Sequence, residues 1–211
     1  AILRQHGYNV LIASSNESYI QECRNIEMME HCMVDGLLIS VCDKERNTDV
    51  YRRIVSRGTP VVFFDRTIDN VEASQVRSDD YIMAFFMVEQ LIRSGNKRIV
   101  HIPGPSRIRN AYERQRGYRD ALEKFHVDFN PDLVLPPALS AEEGSQVMDN
   151  FLDRNIPFDA VFGFTETALI GAKNLIQKRG LRIPDDVRVC CMAAPRSALL
   201  YTPPLPLLNS P

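Results

Sequence analysis

Residues 98–118 read RIVHIPGPSRIRNAYERQRGY. The run Ile99-Val100-His101-Ile102 ends at a Pro-Gly-Pro break, and an arginine-rich segment at helical spacing follows, so the stretch is one strand–turn–helix unit. Ala111, Tyr118, Ala121, Leu122 and Phe125 form its apolar stripe. At about 100° per residue, Arg114 falls inside that stripe, whereas Arg109, Arg116, Arg119 and Glu123 fall opposite it. A charge on the buried side is costly unless something pairs with it. Near the first turns of a helix that follows a strand, the partner is either a ligand or a buried acid, and the spacing leaves both open.

Outward from this unit, strand-like and helix-like segments alternate. The patterning predicts strands at Tyr8–Ser14, Gly36–Val41, Pro60–Phe64, Ser74–Arg77, Arg98–Pro103, Ala160–Phe164 and Val187–Met192, and helices at Tyr19–His31, Asp49–Arg57, Asp80–Arg93, Asn110–Phe125, Ala141–Asn155 and Thr167–Arg179. Gly58 and Gly180 close helices and are followed by Pro60 and Pro184. Runs such as VVFF and AVFGF suit parallel strands covered on both faces, so the class is α/β with doubly wound parallel sheets. In such sheets ligands lie beyond the carboxyl ends of the strands. Those ends carry Ser14-Ser15-Asn16, Ser40, Asp65-Arg66, Ser78-Asp79-Asp80, Gly104 and Thr165-Glu166, with Phe64 and Phe164 as the aromatic residues. The set suits a small, hydroxyl-rich ligand. Asp79, Asp80 and Thr165 also fit as helix caps.

Hydrophobic residues make up 45% and charged residues 25%, an ordinary balance for a globular chain of 211 residues. The net charge of -2 gives no electrostatic footprint for nucleic acid or an anionic membrane. Five arginines between Arg107 and Arg119 read as a mostly solvated face. No apolar run approaches the ~20 residues of a membrane span. The five cysteines are odd in number and include no CxxC pair, which reads as packed, reduced thiols. The chain has no dinucleotide or phosphate loop, no nucleophile elbow and no metal-ligand spacing among its four histidines. No catalytic residue, metal or cofactor is therefore expected, and the chain reads as a non-enzyme. Ala1–His6 looks like the tail of a helix with no strand before it, so the chain is expected to be a fragment cut inside a domain at both ends.

In order, GYNVLIASSNES, VDGLLIS, RGTPVVFFDR, VRSDDY, RIVHIPGP, Arg114 ahead of Gly117-Tyr118, RGLRIPDDV and TPPL resemble the effector-binding core of the lactose-repressor (LacI/GalR) family of bacterial transcription regulators, a periplasmic-binding-protein-like type I fold. In that family two α/β subdomains clamp a small effector, usually a sugar or a nucleobase. The resemblance implies a sensor of a small-molecule effector, a sugar or sugar acid, that acts on operator DNA through a helix-turn-helix outside this chain. It further implies a cytoplasmic homodimer that does not touch a membrane. The alternative on the same fold is a periplasmic solute receptor of a transporter.

Residue by residue, the family's ligand positions fall on Asp65, Asp79 and Arg114. The Asn-Asp that commonly follows the next strand is here Thr165-Glu166. After the Val187 strand, Ala193-Ala194 stand where the family has aspartates that take sugar hydroxyls. Arg66, Phe164, Thr165 and Arg196 complete the expected site, and gathering Arg66, Arg114 and Arg196 points to an acidic effector. Two halves are expected, 1–102 and 103–211, with the chain crossing near Pro103. The helix YIMAFFMV at 81–88, apolar nearly all round, is expected near a dimer partner.

Overall fold

The computed structural model describes residues 2–43 and 46–192. The chain divides into two units, one running to Ser78 together with Arg107–Arg109, the other from Asp79 to Ser106 and from Asn110 onward.

The first unit contains α1 (Ile2–Gln5), α2 (Tyr19–His31), β1 (Leu37–Ile39), α3 (Thr48–Ser56), β2 (Val61–Phe64) and β3 (Ser74–Val76). The strands form a parallel sheet in the order β1-β2-β3, with Leu37 opposite Val61 and Phe63 opposite Gln75. One face of β1 and β2 packs Leu37, Ile39, Val61 and Phe63 against Ile26 of α2 and Tyr51 and Ile54 of α3. On the other face Leu38 and Val76 remain 64% and 65% exposed, so among the described residues this sheet is covered on one side. The expected strand Tyr8–Ser14 does not form: the segment joins no sheet and leaves Val10, Leu11 and Ile12 exposed. Its composition favours a strand, but a strand is stable only with a ladder partner, and local pattern cannot supply one.

A buried carboxylate ties this unit together. Glu22, in the first turn of α2, accepts from the Cys42 N–H at 2.9 Å, from Asn47 Nδ2 at 2.9 Å and from the Tyr51 hydroxyl. Three elements thus share one acid, with its lone pairs satisfied inside the core as burial demands. Burial and the neighbouring Glu22 push the Cys42 thiol up to about 12 and raise the Tyr51 phenol as well. Both groups stay protonated, and the Tyr51 hydroxyl remains a donor.

The second unit contains α4 (Asp80–Arg93), β4 (Ile99–Ile102), α5 (Arg109–Lys124, its first residue grouped with the first unit), a 3-10 turn at Pro131–Leu133, α6 (Ala141–Asp153), β5 (Ala160–Gly163), α7 (Glu166–Lys178) and β6 (Arg188–Cys191). Its parallel sheet runs β4-β5-β6, with Ile99 opposite Ala160 and Val161 opposite Val189. All of β4 and β5 is buried. Ile99, Ala160, Phe162 and Cys190 face Ala84, Val88 and Leu91 of α4 and Tyr118, Ala121 and Leu122 of α5. Val100, Ile102, Val161 and Val189 face Met148 and Phe151 of α6 and Leu169, Ala172 and Ile176 of α7. This is the doubly wound arrangement that the continuous apolar runs predict. The boundary between units differs from the expected crossing near Pro103. Residues 79–106 group with the second unit, because α4 packs on the β4–β6 sheet and β4 pairs with β5.

Two features of the second unit carry measurable consequences. Helices α6 and α7 approach so closely that a Cβ on Gly144 would collide with the Ala168 carbonyl, and one on Gly171 with the Ala141 carbonyl. In a free helix Gly→Ala is favourable by about 1 kcal/mol. Here Gly144→Ala is expected to destabilise by roughly 1–3 kcal/mol through forced backbone separation, lowering the melting temperature by several degrees. A melt showing an unchanged or higher midpoint refutes the close-packing account.

The other is His101, fully buried in β4, its ring stacked between Tyr118 and Phe162 at centroid distances of 4.9 and 5.0 Å. Nδ1 donates to the Phe162 carbonyl at 3.0 Å, and Nε2 is buried without a hydrogen-bond partner among the described residues. Burial pulls this imidazole from 6.5 down to about 4, against the pull of the Phe162 carbonyl, with the Arg119 and Arg114 charges acting the same way as burial. Below pH 6.5 the unfolded chain takes up a proton that the folded one refuses. Stability is thus intact above pH 6.5 and falls toward pH 4, by about 3 kcal/mol from this group. His101→Phe, which keeps an aromatic ring in the stack, is expected to remove that share of the acid sensitivity. Parallel denaturant titrations at pH 7.5 and 4.5 test it, and an equal acid loss in both proteins excludes His101 as its source.

Candidate functional site

The carboxyl end of the second sheet is where β4 runs into Pro103-Gly104 and β5 into Phe164-Thr165. Arg114, from the second turn of α5, lies over this end. Its side chain is 11% exposed, in line with its place in the apolar stripe, and Ala111, Tyr118, Ala121 and Leu122 are all buried. Both open readings of that position are answered on one side. Arg114 Nε donates to Asp80 Oδ1 at 2.8 Å, its Nη2 lies 2.7 Å from the same oxygen, and its Nη1 donates to the Phe164 carbonyl at 2.5 Å. Asp80 opens α4 and its side chain is 6% exposed. The buried acid therefore exists. A guanidinium has five N–H donors, so three are engaged and two remain among the described residues.

Phe164 is part of the same construction. Its ring lies beneath the Arg114 guanidinium at 4.7 Å, and its backbone N–H donates to the Ile102 carbonyl at 2.8 Å. The ring rests against Gly104, where any side chain would collide with it. The Pro-Gly-Pro break thus provides a flat seat for an aromatic ring, and the ring supports the cation.

The other predicted site residues separate into groups. Asp79 is the N-cap of α4: its carboxylate accepts from the Ile82 N–H at 3.0 Å, and the residue is exposed. Thr165 caps α7 through the Ala168 N–H at 3.1 Å and donates to the Leu139 carbonyl at 3.3 Å. Asp79, Arg114, Phe164 and Thr165 thus all belong to the second unit. Asp65 and Arg66 belong to the first, at the carboxyl end of β2. Asp65 is exposed with φ 58°, a left-handed conformation unusual outside glycine but tolerated by Asp, and strain of that kind concentrates at binding sites. Arg66 is already committed, its Nη1 donating to both carboxylate oxygens of Glu17 at 2.9 and 2.7 Å. Arg196 and Ala193-Ala194 lie outside the described residues.

Sequence reasoning missed two residues here. Asp80 was placed at a strand end and as a cap, not as the partner of Arg114 that it is. Asn110 lies one turn before Arg114 on the same helix face, is 5% exposed, and its Oδ1 has no hydrogen-bond partner among the described residues. The i, i+4 spacing from Arg114 was the available signal. No group of His, Cys, Asp and Glu able to hold a metal occurs among the described residues. None of their helices is long and apolar enough to cross a membrane.

Because Asp80 is buried and paired with Arg114, Arg114→Ala is expected to take this charge partner from a desolvated carboxylate and destabilise the ligand-free protein by about 3–5 kcal/mol. The double variant Arg114→Leu/Asp80→Leu is expected to recover most of that loss. Denaturant melts of the two against wild type measure it, and a single variant as stable as wild type contradicts the buried-pair assignment.

Comparison with known proteins follows the same lines. The family model described as periplasmic binding proteins and sugar binding domain of LacI family matches residues 2–208. Among curated proteins, the ribose operon repressor of Haemophilus influenzae is 26% identical over 208 residues, which cover 99% of this chain and 62% of that repressor. The chain thus spans less than two thirds of that relative. Among solved structures, the transcription regulator CcpA of Lactococcus lactis superposes with a TM-score of 0.86 at 24% identity, over 97% of this chain and 74% of that one. The transcriptional regulator CelR in complex with cellobiose does so with a TM-score of 0.83 at 25% identity, over 96% and 62%. With its parallel sheets, its buried arginine at a carboxyl edge and a family match along nearly its whole length, the chain belongs to the family of periplasmic binding proteins and LacI-type sugar-binding domains.

Proposed function

We propose that this chain is the effector-sensing part of a bacterial transcriptional repressor. A small polyhydroxylated molecule binds at the carboxyl ends of its strands, and a DNA-reading helix-turn-helix outside the chain responds. The observation that carries this is Arg114, held rigid by Asp80 and the Phe164 carbonyl with two N–H donors to spare. A preorganised donor fork loses little entropy on binding and fits vicinal hydroxyls. Asn110 Oδ1 supplies an acceptor one turn away, and Asp79 supplies a carboxylate that accepts from hydroxyls. Support for a regulator, rather than a transporter's receptor, comes from the relatives, which are named as repressors. Sugar as the effector class is supported by the family description and by the cellobiose complex of CelR.

On this reading the protein acts in the cytoplasm without catalysis, and effector binding is coupled to DNA affinity through two conformations of different effector affinity. A homodimer belongs to the same proposal. Phe86 and Ile82 of α4, 47% and 40% exposed, give apolar surface beyond what its own core uses.

Thermal melts of the protein with D-ribose, D-glucose, D-galactose and cellobiose test the binding step. A sugar at a hundred times its dissociation constant stabilises by about 2.7 kcal/mol. Arg114→Lys keeps the charge facing Asp80 but loses the fork. It is expected to retain the ligand-free midpoint within a few degrees while weakening binding roughly 10- to 150-fold. Equal affinity in the two proteins would falsify the role given to Arg114.

A further inference from the structure

His101 is a polar side chain inside an apolar layer. None of its surface meets solvent, and its ring touches Tyr118 and Phe162, both part of the core beneath α4 and α5. The ring is neutral near pH 7, so it carries one proton, and Nδ1 commits that proton to the Phe162 carbonyl at 3.0 Å. Nε2 keeps a buried lone pair without a hydrogen-bond partner among the described residues. A leucine would bury a similar volume with no unmatched acceptor, so stability alone does not favour an imidazole here. A buried, unmatched acceptor calls for a reason, and the contacts of the ring supply one. They reach the two elements that hold Arg114. Tyr118 follows Arg114 by four residues on α5, so both project from one face of that helix. The Tyr118 ring lies 4.9 Å from the His101 ring at 24°, and its hydroxyl donates to the Ile99 carbonyl of β4 at 2.9 Å. On β5, Phe162 stands opposite His101 in the parallel ladder, with ring centroids 5.0 Å apart and planes 14° apart. Phe162 precedes Phe164 by two residues, and the Phe164 carbonyl accepts from Arg114 Nη1. The Tyr118 and Phe162 rings are near-parallel too, at 6.4 Å. Three rings and two hydrogen bonds thus tie the helix that carries Arg114 to the strand whose end fixes its guanidinium.

We propose, on the reading that the effector binds at Arg114, that His101 is a positioning residue: it holds α5 in register with the end of β5 and so sets the pose of the Arg114 fork. His101 itself does not touch the effector. Hydrogen bonds weaken steeply with misalignment, so a donor fork is useful only if the elements beneath it are fixed. The imidazole fixes them in two ways. Its flat face meets a ring from α5 and a ring from β5, and its single N–H bonds the β5 backbone in one direction. An aliphatic side chain fills the space but has neither a flat face nor a donor, and it leaves the helix freer to shift along the strand.

Two measurements test it: calorimetric titration with D-ribose, D-glucose, D-galactose and cellobiose, and solvent exchange of the Arg114 Nε–H followed by NMR. That signal is identified by its loss in Arg114→Lys. His101→Leu is expected to melt within a few degrees of wild type. It is expected to weaken binding of whichever sugar binds by roughly tenfold, and to speed exchange of the Arg114 Nε–H by on the order of tenfold. In the Arg114→Lys background the same substitution is expected to change affinity by less than about twofold, because no fork remains to be misplaced. Met148→Ala, which opens a cavity in the core on the other face of the sheet, is expected to lower the melting temperature but leave affinity and exchange unchanged. Should His101→Leu not fold, Phe162→Leu removes a second ring of the same contact and carries the same expectations. Unchanged affinity in the folded variant overturns the proposal. So does an equal loss in the Arg114→Lys background, or an equal effect of Met148→Ala, since either marks a purely structural part. If none of the sugars binds wild type, the effector reading falls, and the exchange rate still decides the positioning: a faster rate in the variant supports it and an unchanged rate overturns it.

Discussion

The contact on which the second unit depends is the ion pair between Arg114 of α5 and Asp80 of α4. It joins two helices that cover the same face of the β4–β6 sheet, and through the Phe164 carbonyl it reaches the end of the central strand. Such a pair gains little by itself, because two charges lose their water to make it. Its consequence is positional. A guanidinium held by a carboxylate, a backbone carbonyl and an aromatic face has one available orientation, and the sheet end acquires a fixed donor. Gly104 makes this possible by leaving room for the Phe164 ring. The Pro-Gly-Pro turn therefore serves both the chain path and the site.

The two units solve burial differently. The second is layered on both faces, so its central strands carry only buried side chains, and even a histidine is accommodated by stacking and one hydrogen bond to a carbonyl. The first unit has helices on one face of its sheet among the described residues and relies on the Glu22 network to join α2, α3 and the segment after β1. A carboxylate on α2 that satisfies three donors from α3 and the segment after β1 fixes the mutual register of all three. An apolar contact of the same size would tolerate sliding.

The strand–turn–helix at 98–118 was legible because strands and helices impose their own periods on side chains. Helices α2 and α4 run over the same residues that the pattern indicates, and the others agree within two residues at each end. The stripe placed Arg114 on the buried side with no structural input. The same local logic failed at Tyr8–Ser14, where β-forming residues found no ladder partner. Nor does local pattern show ion pairs: the acids that meet Arg66 and Arg114, Glu17 and Asp80, lie far away in sequence.

By itself the sequence determined the alternation of elements, the parallel-sheet class, the family and the burial of Arg114, since each is written in spacing along the chain or in the order of short motifs. Only the tertiary structure decided which of two adjacent aspartates meets that arginine. Asp79 and Asp80 differ by about 100° around the start of one helix, so one turns back to cap it and the other points inward to α5. Which way each points relative to a helix thirty residues later depends on how the two helices pack on a common sheet. That packing is a three-dimensional fact about Ala84, Val88, Tyr118 and Phe162 together, and no local pattern contains it.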